Sequence, residues 1–364
     1  MRLTRRHLLP FAAVLLVPAT PHAAPDEAAY RALNRGVVEQ VLLPGYRAFL
    51  EAAANLAARL DTLARTPGEA AALEAARGGF AAAMRAWQGI QHVRVGPADL
   101  FSRHARIQFW PDPRNSIGRD LAEAIAQRDA AVLEVRPNAL RNVTLQGLPA
   151  LERLIHGDEA VARLRAGDAE AAFRIALLRS IGGNLSTLAA DMLAGWTGGE
   201  QPFAAALIQP ATPYATPLEA TQELFKMLHA AVEVVADRKL TRALGAGPPA
   251  ARPQLLESWR SGLSGQNIQA NLAAARAMYR AGFAQTLEGA GEGELATLLG
   301  RAFDQVMASA EALPLPLEEA IGDAARRPAV ERLRQEAVAL KALLAQRLAP
   351  ALGIPLGFNA LDGD

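Results

Sequence analysis

The sequence predicts an all-α protein built from two packed helical bundles of about four helices each. Apolar residues recur every three or four positions through most of the chain, which is the spacing of amphipathic helices. Hydrophobic residues make up 51% of the 364 residues and aromatic residues only 5%, so much of the apolar share is alanine and leucine, which favour helices. Strand-like alternation is not evident. The similar pattern of the two halves suggests a pseudo-duplication, although they do not align residue by residue.

The first 23 residues have the pattern of an export signal and are excluded from the fold. Three arginines precede an apolar run over residues 8–17, and small residues follow near Ala23, where we expect cleavage. The Arg5-Arg6 pair also resembles the twin-arginine export pattern. Paired arginines occur in ordinary signals too, so the export route stays open. We expect a periplasmic mature protein.

Composition excludes several functional classes. The formal net charge is +1 and the chain has no long basic run, which argues against nucleic acid as a partner. The chain contains no cysteine, so disulfides, thiolate metal sites and covalent haem attachment are excluded. After the signal, no apolar run is long enough to span a bilayer.

Residues 24–200 are predicted to form the N-terminal bundle. Apolar residues repeat with helical spacing over 30–63, with a break or kink at Pro44-Gly45, and again over 73–90. Residues 92–116 are rich in aromatics and prolines, which predicts a long ordered loop with a short helix inside it.

The rest of this bundle follows in three helices. A short helix is predicted over residues 117–127, followed by a connection through Pro137. A helix that starts at Pro149 is predicted to run to about Leu164. Apolar residues at helical spacing over 173–192 predict a long helix that ends at residues 195–199.

Residues 201–364 are predicted to form the C-terminal bundle. The boundary lies in residues 201–217, which contain four prolines. Apolar stripes then predict four helices, over residues 218–235, 268–287, 295–306 and 333–348.

The start of the helix at Pro149 carries the most distinctive chemistry. Gly147 allows a tight turn, and Pro149 suits the first helical position. Glu152 is then expected in the first turn, near unpaired backbone N–H groups. Glu152 and His156 are four residues apart and share one helix face, where a carboxylate and an imidazole could hold a metal ion or share a proton. Alternatively, the acid is an ordinary helix cap and His156 an ordinary helix end.

Several separated motifs resemble the imelysin-like family, and the resemblance covers essentially the whole mature chain. The matching positions are Trp87, Gln91, Arg94, Gly96-Pro97, Phe109-Trp110-Pro111-Asp112, Gly147 to Glu152, Trp259-Arg260-Ser261, Ser264, Asn267 and Asn271-Leu272. The resemblance implies an exported bacterial protein associated with iron uptake. It also implies two four-helix bundles with a site where they meet, and some members are classed as metallopeptidases.

The family signature is Gly-x-His-x-x-Glu, which is thought to bind metal. Gly147 and Glu152 match it here, and Pro149 stands at the histidine position. A zinc peptidase needs about three protein ligands, and the helical His-Glu-x-x-His pattern is absent. The four histidines outside the signal are not spaced three or four apart. These patterns argue against peptidase activity.

The residue types favour a ligand-binding site between the bundles over a peptidase site. Arg94 and Arg260 could offer forked donors to a carboxylate or phosphate-like group. Asp112 and Glu152 could bind a hard cation. The neutral oxygens and aromatic wall of such a site would come from Ser261, Asn267, Asn271, Trp110 and Phe109. Alternatively, Arg94 pairs with Asp112 or Glu152 and locks the bundles together.

The sequence therefore favours a periplasmic protein that binds a small ligand or a metal ion at the bundle interface. Iron is the candidate metal on the family resemblance alone, and Glu152 with His156 are its candidate ligands. A second hypothesis is a non-enzymatic module that docks on an envelope protein. A metallopeptidase is the third. The ligand, the partner and the oligomeric state stay open.

Overall fold

The structure is a computed structural model that describes residues 24–133, 142–157, 159–209 and 211–355. The predicted signal peptide and Pro137 lie outside these residues. All regular elements of the described ranges are helical, which confirms the predicted all-α class. Within the same ranges, no helix combines the length and the apolar character needed to cross a membrane.

The helices of the first half follow one another in chain order. They are α1 (Glu27–Val37), α2 (Leu43–Arg65), α3 (Ala70–Gln88), α4 (Arg103–Ile107), α5 (Ser116–Gln127), α6 (Gly147–His156), α7 (Ala160–Arg165) and α8 (Ala169–Thr197). The short helix expected within residues 92–116 is therefore α4.

The second half repeats this style. Its helices are α9 (Phe203–Ile208), α10 (Pro217–Glu233), α11 (Arg242–Leu244), α12 (Ser264–Met278), α13 (Ala284–Gly289), α14 (Gly293–Glu311), α15 (Leu317–Ala320), α16 (Arg327–Leu343) and α17 (Ala349–Ala351). π-helical turns join α10 to α11, α12 to α13 and α16 to α17, at Val234–Thr241, Tyr279–Phe283 and Leu344–Leu348.

The first helix does not break at Pro44. A π-helical turn at Val38–Leu42 joins α1 to α2, and the backbone stays in the right-handed helical region on both sides. Pro44 falls in the first turn of α2. It has no N–H to donate to a carbonyl in the preceding turn, which is compatible with the wider π turn just before it. The predicted interruption is therefore a widened turn within one continuous helix.

Two sets of four helices form the core. α2 packs against α3 and α8, and α6 packs against the same two helices. α10 packs against α12 and α16, and α14 packs against the same pair. α3 packs against α12, and α1 packs against α10, so the continuous helix α1–α2 touches both sets. A division at residue 200 and an ancient duplication stay predictions.

The helix that carries Glu152 differs from its predicted course. It begins at Gly147, two residues before Pro149, so Glu152 lies in the second turn. It ends at His156, because Gly157 adopts an extended backbone. The predicted continuation to Leu164 is a separate short helix, α7.

Candidate functional site

A cavity of about 60 Å³ lies between the loop after α4, helix α6 and the loop before α12. Among the residues singled out from the sequence, Trp110, Asp112, Glu152 and Arg260 line it together, and Phe109 and Pro149 line it as well. The first three belong to one half of the chain and Arg260 to the other. The structure thus brings distant polar and aromatic side chains to one place, and their role in binding a ligand stays a prediction.

Gly147 positions the helix that carries Glu152. Its φ of +74° lies in the left-handed region, which glycine adopts without strain. A Cβ at this position would overlap with the backbone carbonyl oxygens of Arg106 and Ile107. The start of α6 therefore packs directly on the end of α4. Only glycine allows this approach, which holds the start of α6 against the end of α4.

Glu152 links the two halves of the chain. Its side chain is buried, and Oε1 accepts hydrogen bonds from the backbone N of Ser261 at 2.9 Å and from Ser261 Oγ at 2.7 Å. Burial raises the pKa of Glu152, and the two bonds from Ser261 oppose that rise. The acid is therefore an acceptor that holds the loop before α12 against α6.

Asn267 supports the same loop from behind. Its Nδ2 donates to Ser258 Oγ at 3.0 Å, and both side chains are buried. Ser258 lines the cavity and has a φ of +61°. Asn267 therefore acts on the cavity wall through Ser258.

Asp112 is engaged by its own half of the chain. Its carboxylate accepts from the backbone N of Ser116 at 2.8 Å and of Ile117 at 2.9 Å, so it lies at the start of α5. The guanidinium of Arg153 lies 3.9 Å from Asp112 Oδ2 and donates to Asn115 Oδ1 at 2.6 Å. The carboxylate stabilises the N-terminus of α5. It is therefore held in place rather than free to rotate toward a cation.

The second half contributes an aromatic face and a cation. The Arg260 guanidinium lies 4.1 Å from the ring centroid of Trp259, a cation–π contact. Both residues line the cavity, and Trp110 lines it from the first half. The cavity is thus bordered by two indoles and by charged groups of both signs.

Arg94 and His156 do not line this cavity. Arg94 is exposed, and its charged neighbours are Arg238, Glu233 and Glu257. The expected alternative pairing of Arg94 with Asp112 or Glu152 does not occur.

His156 has surroundings of its own. Its ring lies 5.3 Å from the ring of Phe80. Desolvation lowers the pKa of His156 to about 4, with a further contribution from Arg77. Glu152 and His156 thus share a helix but have different partners.

The donor set does not fit a resident metal ion. In the described ranges, no three His, Asp or Glu side chains come close enough to hold one. Pro149 provides no imidazole where the family signature has histidine. Glu152 Oε1 and both Asp112 oxygens already accept hydrogen bonds. The binding of iron by Glu152 and His156 gains no support from this geometry.

Sequence reasoning missed a buried ion pair beside the cavity. Lys239 Nζ lies 2.5 Å from Glu257 Oε2, and the two side chains are almost completely buried. Glu257 Oε1 accepts from Gln108 Nε2 at 2.6 Å, and Gln108 lines the cavity. Lys239 continues the apolar stripe of Val232 and Val235 at helical spacing. A lysine on a buried face was the available signal.

The same lysine also joins the two sets of helices. Its Nζ donates to Gln88 Oε1 at 2.6 Å and to Asn271 Oδ1 at 2.5 Å. Asn271 Nδ2 donates to the backbone oxygen of Gln88 at 2.8 Å. Desolvation lowers the pKa of Lys239, and Glu257 opposes this effect. α3, α12 and the π turn after α10 are thereby tied together by polar contacts.

Comparison with known proteins gives the fold an independent counterpart. A solved imelysin-like protein from Psychrobacter arcticum 273-4 has a TM-score of 0.76 at 22% identity, covering 92% of this chain and 100% of that one. A protein described as an iron-regulated protein A precursor, from Parabacteroides distasonis, has a TM-score of 0.75 at 16% identity, with coverages of 91% and 98%. At these identities the likeness shows the fold.

Sequence comparison identifies the family. Iron-regulated protein A of Synechococcus elongatus is 32% identical over 95 residues. This match spans 26% of the length of that relative and 26% of this chain. A family model described as Imelysin matches residues 42–344, which is most of the chain. The family resemblance seen in the motifs is confirmed, and this chain belongs to the imelysin family.

Proposed function

We propose that this protein is an exported, iron-associated binding protein that holds a small polar ligand in the cavity between Trp110 and Trp259. The observation that carries the proposal is convergence. Trp110, Glu152 and Arg260 come from segments far apart in sequence and line one cavity. Apolar walls with a few placed polar groups are typical of small-ligand sites.

The size of the cavity restricts the ligand. Its volume of about 60 Å³ is well below the roughly 300–1,000 Å³ of sites for drug-sized molecules. A peptide chain does not fit without rearrangement. The ligand is therefore small, or only part of it enters. This supports binding rather than peptide hydrolysis, and the proposal contains no catalytic step.

The iron association comes from relatives. Two similar proteins are named as iron-regulated protein A or its precursor. The predicted signal peptide supports export, and we place the mature chain in the periplasm. Because the donor set does not fit a resident metal ion, the proposed association is with a small molecule of iron metabolism rather than with a bare ion held by Glu152 and His156.

Calorimetry on the mature chain tests this function. Citrate, ferric citrate, phosphate and ferrous ion are titrated separately, with tryptophan fluorescence as a second signal because Trp110 and Trp259 line the cavity. We expect at least one of the anionic molecules to bind. Trp110→Ala should weaken the binding of that molecule at least tenfold. Trp196→Phe is the matched control, because Trp196 is fully buried and lies outside the cavity lining.

Two results would contradict the proposal. One is the failure of all four probes to bind. The other is binding that Trp110→Ala and Glu152→Gln both leave unchanged, since such binding would occur elsewhere. Fractionation of cells that express the full-length chain tests the export: recovery with cytoplasmic markers, at full length, would contradict a periplasmic location.

A further inference from the structure

A second, wider groove lies beside the cavity. It has a volume of about 220 Å³ and runs between α5, α6, α7 and the first part of α8. Arg153 and Arg260 line both the groove and the cavity. The two spaces therefore share a wall that consists of two guanidinium groups.

The groove is rich in positive charge. Arg153, Arg163, Arg174 and Arg260 line it, and no described lining residue is acidic. Acidic partners lie outside the lining. Glu170 is 2.7 Å from Arg174 and 3.8 Å from Arg163, and Glu159 is 3.2 Å from Arg163. The carboxylate of Glu170 thus holds two of the guanidinium groups at one side of the groove.

The shared wall brings two cations together. The proximity of Arg260 contributes to a lowered pKa of Arg153, after desolvation as the main cause. The carboxylates of Asp112, at 3.9 Å from Arg153, and of Glu152 act on this pKa in the opposite direction. A bound anion near the wall would reduce the repulsion between the two guanidinium groups.

The remaining lining is largely apolar. Leu121 and Ile125 of α5 and Leu154 of α6 are buried side chains that also line the groove. Guanidinium groups form paired hydrogen bonds with carboxylates and phosphates. Apolar side chains offer an extended hydrocarbon a surface on which to leave water.

We propose that this groove binds an amphipathic anion, a small molecule with a carboxylate or phosphate head and an apolar body. The head contacts Arg153 and Arg260 at the shared wall, and the body lies on Leu121 and Ile125. The inference rests on the proposed function, because it extends the same binding site and names the class of its ligand.

Calorimetry with four probes on the mature chain tests the inference. Octanoate and octyl phosphate carry both features, inorganic phosphate carries only the head, and octyltrimethylammonium reverses the charge. We expect the first two to bind, inorganic phosphate to bind at least tenfold more weakly, and the cation not to bind. Equal binding of the cationic probe would overturn the assignment.

Variants locate the binding. Arg163→Gln with Arg174→Gln removes two of the four cations that line the groove and leaves the carboxylate of Glu170 beside it without these partners. Although neither arginine contacts the head, the lost positive charge is expected to weaken octanoate binding at least tenfold. Arg179→Gln is the matched control on the same helix, because Arg179 pairs with Asp61 at 2.8 Å, does not line the groove, and should stay within twofold. Ala122→Glu is a second variant that leaves these ion pairs intact. Ala122 is exposed on α5 and lines the groove, so an acid there should repel the anion at least fivefold.

The outcomes separate this inference from the proposed function. Octanoate binding that neither the double variant nor Ala122→Glu changes would overturn the inference. So would the absence of octanoate and octyl phosphate binding in a protein that still binds a cavity probe sensitive to Trp110→Ala. In that second case the proposed function would stand and only the groove assignment would fail.

Discussion

Lys239 and Glu257 form an ion pair in which Nζ and Oε2 are 2.5 Å apart and the side chains are 2% and 1% exposed. Removing one partner leaves an uncompensated buried charge, which typically costs about 3–5 kcal/mol. We therefore expect Lys239→Met to lower the free energy of unfolding by about that amount. Urea unfolding followed by circular dichroism measures it.

The double variant Lys239→Met with Glu257→Gln distinguishes a lost charge partner from lost packing. Because no unpaired charge remains, the double variant should be more stable than Lys239→Met alone. A double variant that is equally or less stable would show that packing around Lys239 dominates.

Gly147 provides a test of close backbone contact. Gly147→Ala forces alanine into the left-handed backbone region and places its Cβ against two carbonyl oxygens of α4. Gly167 is the matched control, since its φ is +71° and its added Cβ would meet nothing within 4 Å. We expect Gly167→Ala to cost about 1–2 kcal/mol from the backbone alone, and Gly147→Ala a further 1–3 kcal/mol or so from overlap. If both variants lost the same unfolding free energy, the close backbone contact between Gly147 and α4 would be contradicted.

The Glu152–Ser261 contact predicts a difference between two substitutions. Glu152→Ala removes the acceptor of two hydrogen bonds and leaves the backbone N of Ser261 unsatisfied, at a cost of about 1–3 kcal/mol. Glu152→Gln keeps an oxygen in place and should lose clearly less. Glu123→Ala, at an exposed site on α5, is the control and should change little. The link between the halves would be refuted if Glu152→Ala behaved like the control in urea unfolding.

His92 predicts a pH dependence of stability. Burial lowers the pKa of His92 to about 4, whereas the unfolded chain has the ordinary value of about 6.5. Between these values the unfolded state binds a proton that the folded state does not. The free energy of unfolding should therefore fall as the pH falls from about 6.5 to 4, by up to roughly 3 kcal/mol from this residue.

The variant His92→Gln isolates that contribution. Its stability should depend less steeply on pH than that of the parent between pH 4.5 and 6.5, and the two slopes should agree above pH 8. Other groups, including His104 with a pKa also near 4, contribute equally to both proteins and cancel in the difference. Parallel curves through the acid range would mean that His92 takes up its proton at the same pH in the folded and unfolded states, which would contradict a lowered pKa.

The helical class was predictable because its signal is local. Apolar residues three or four positions apart indicate a helix without knowledge of its neighbours. Helix ends were less predictable. The sequence suggested that Pro149 begins its helix, but the backbone contact of Gly147 with α4 starts α6 two residues earlier. Such a contact depends on a segment about 40 residues upstream, which local patterns do not contain.

The candidate site was predictable in part. The motifs pointed to Trp110, Glu152 and Arg260, which lie around one cavity. Arg94 was selected on the same grounds, but it is exposed and does not line the cavity. Gln108 and Glu257 were missed, since they meet across 149 residues of sequence and neither belongs to a periodic pattern.

The continuous helix α1–α2 makes the two halves mechanically dependent on each other. Its first part packs against α10 and its second part against α3 and α8, so one helix contributes to the core of both halves. In a fragment that stops at residue 200, the side of α1 that packs against α10 would be exposed to water. Gene truncation at the centre of this chain should accordingly yield insoluble products rather than two working halves.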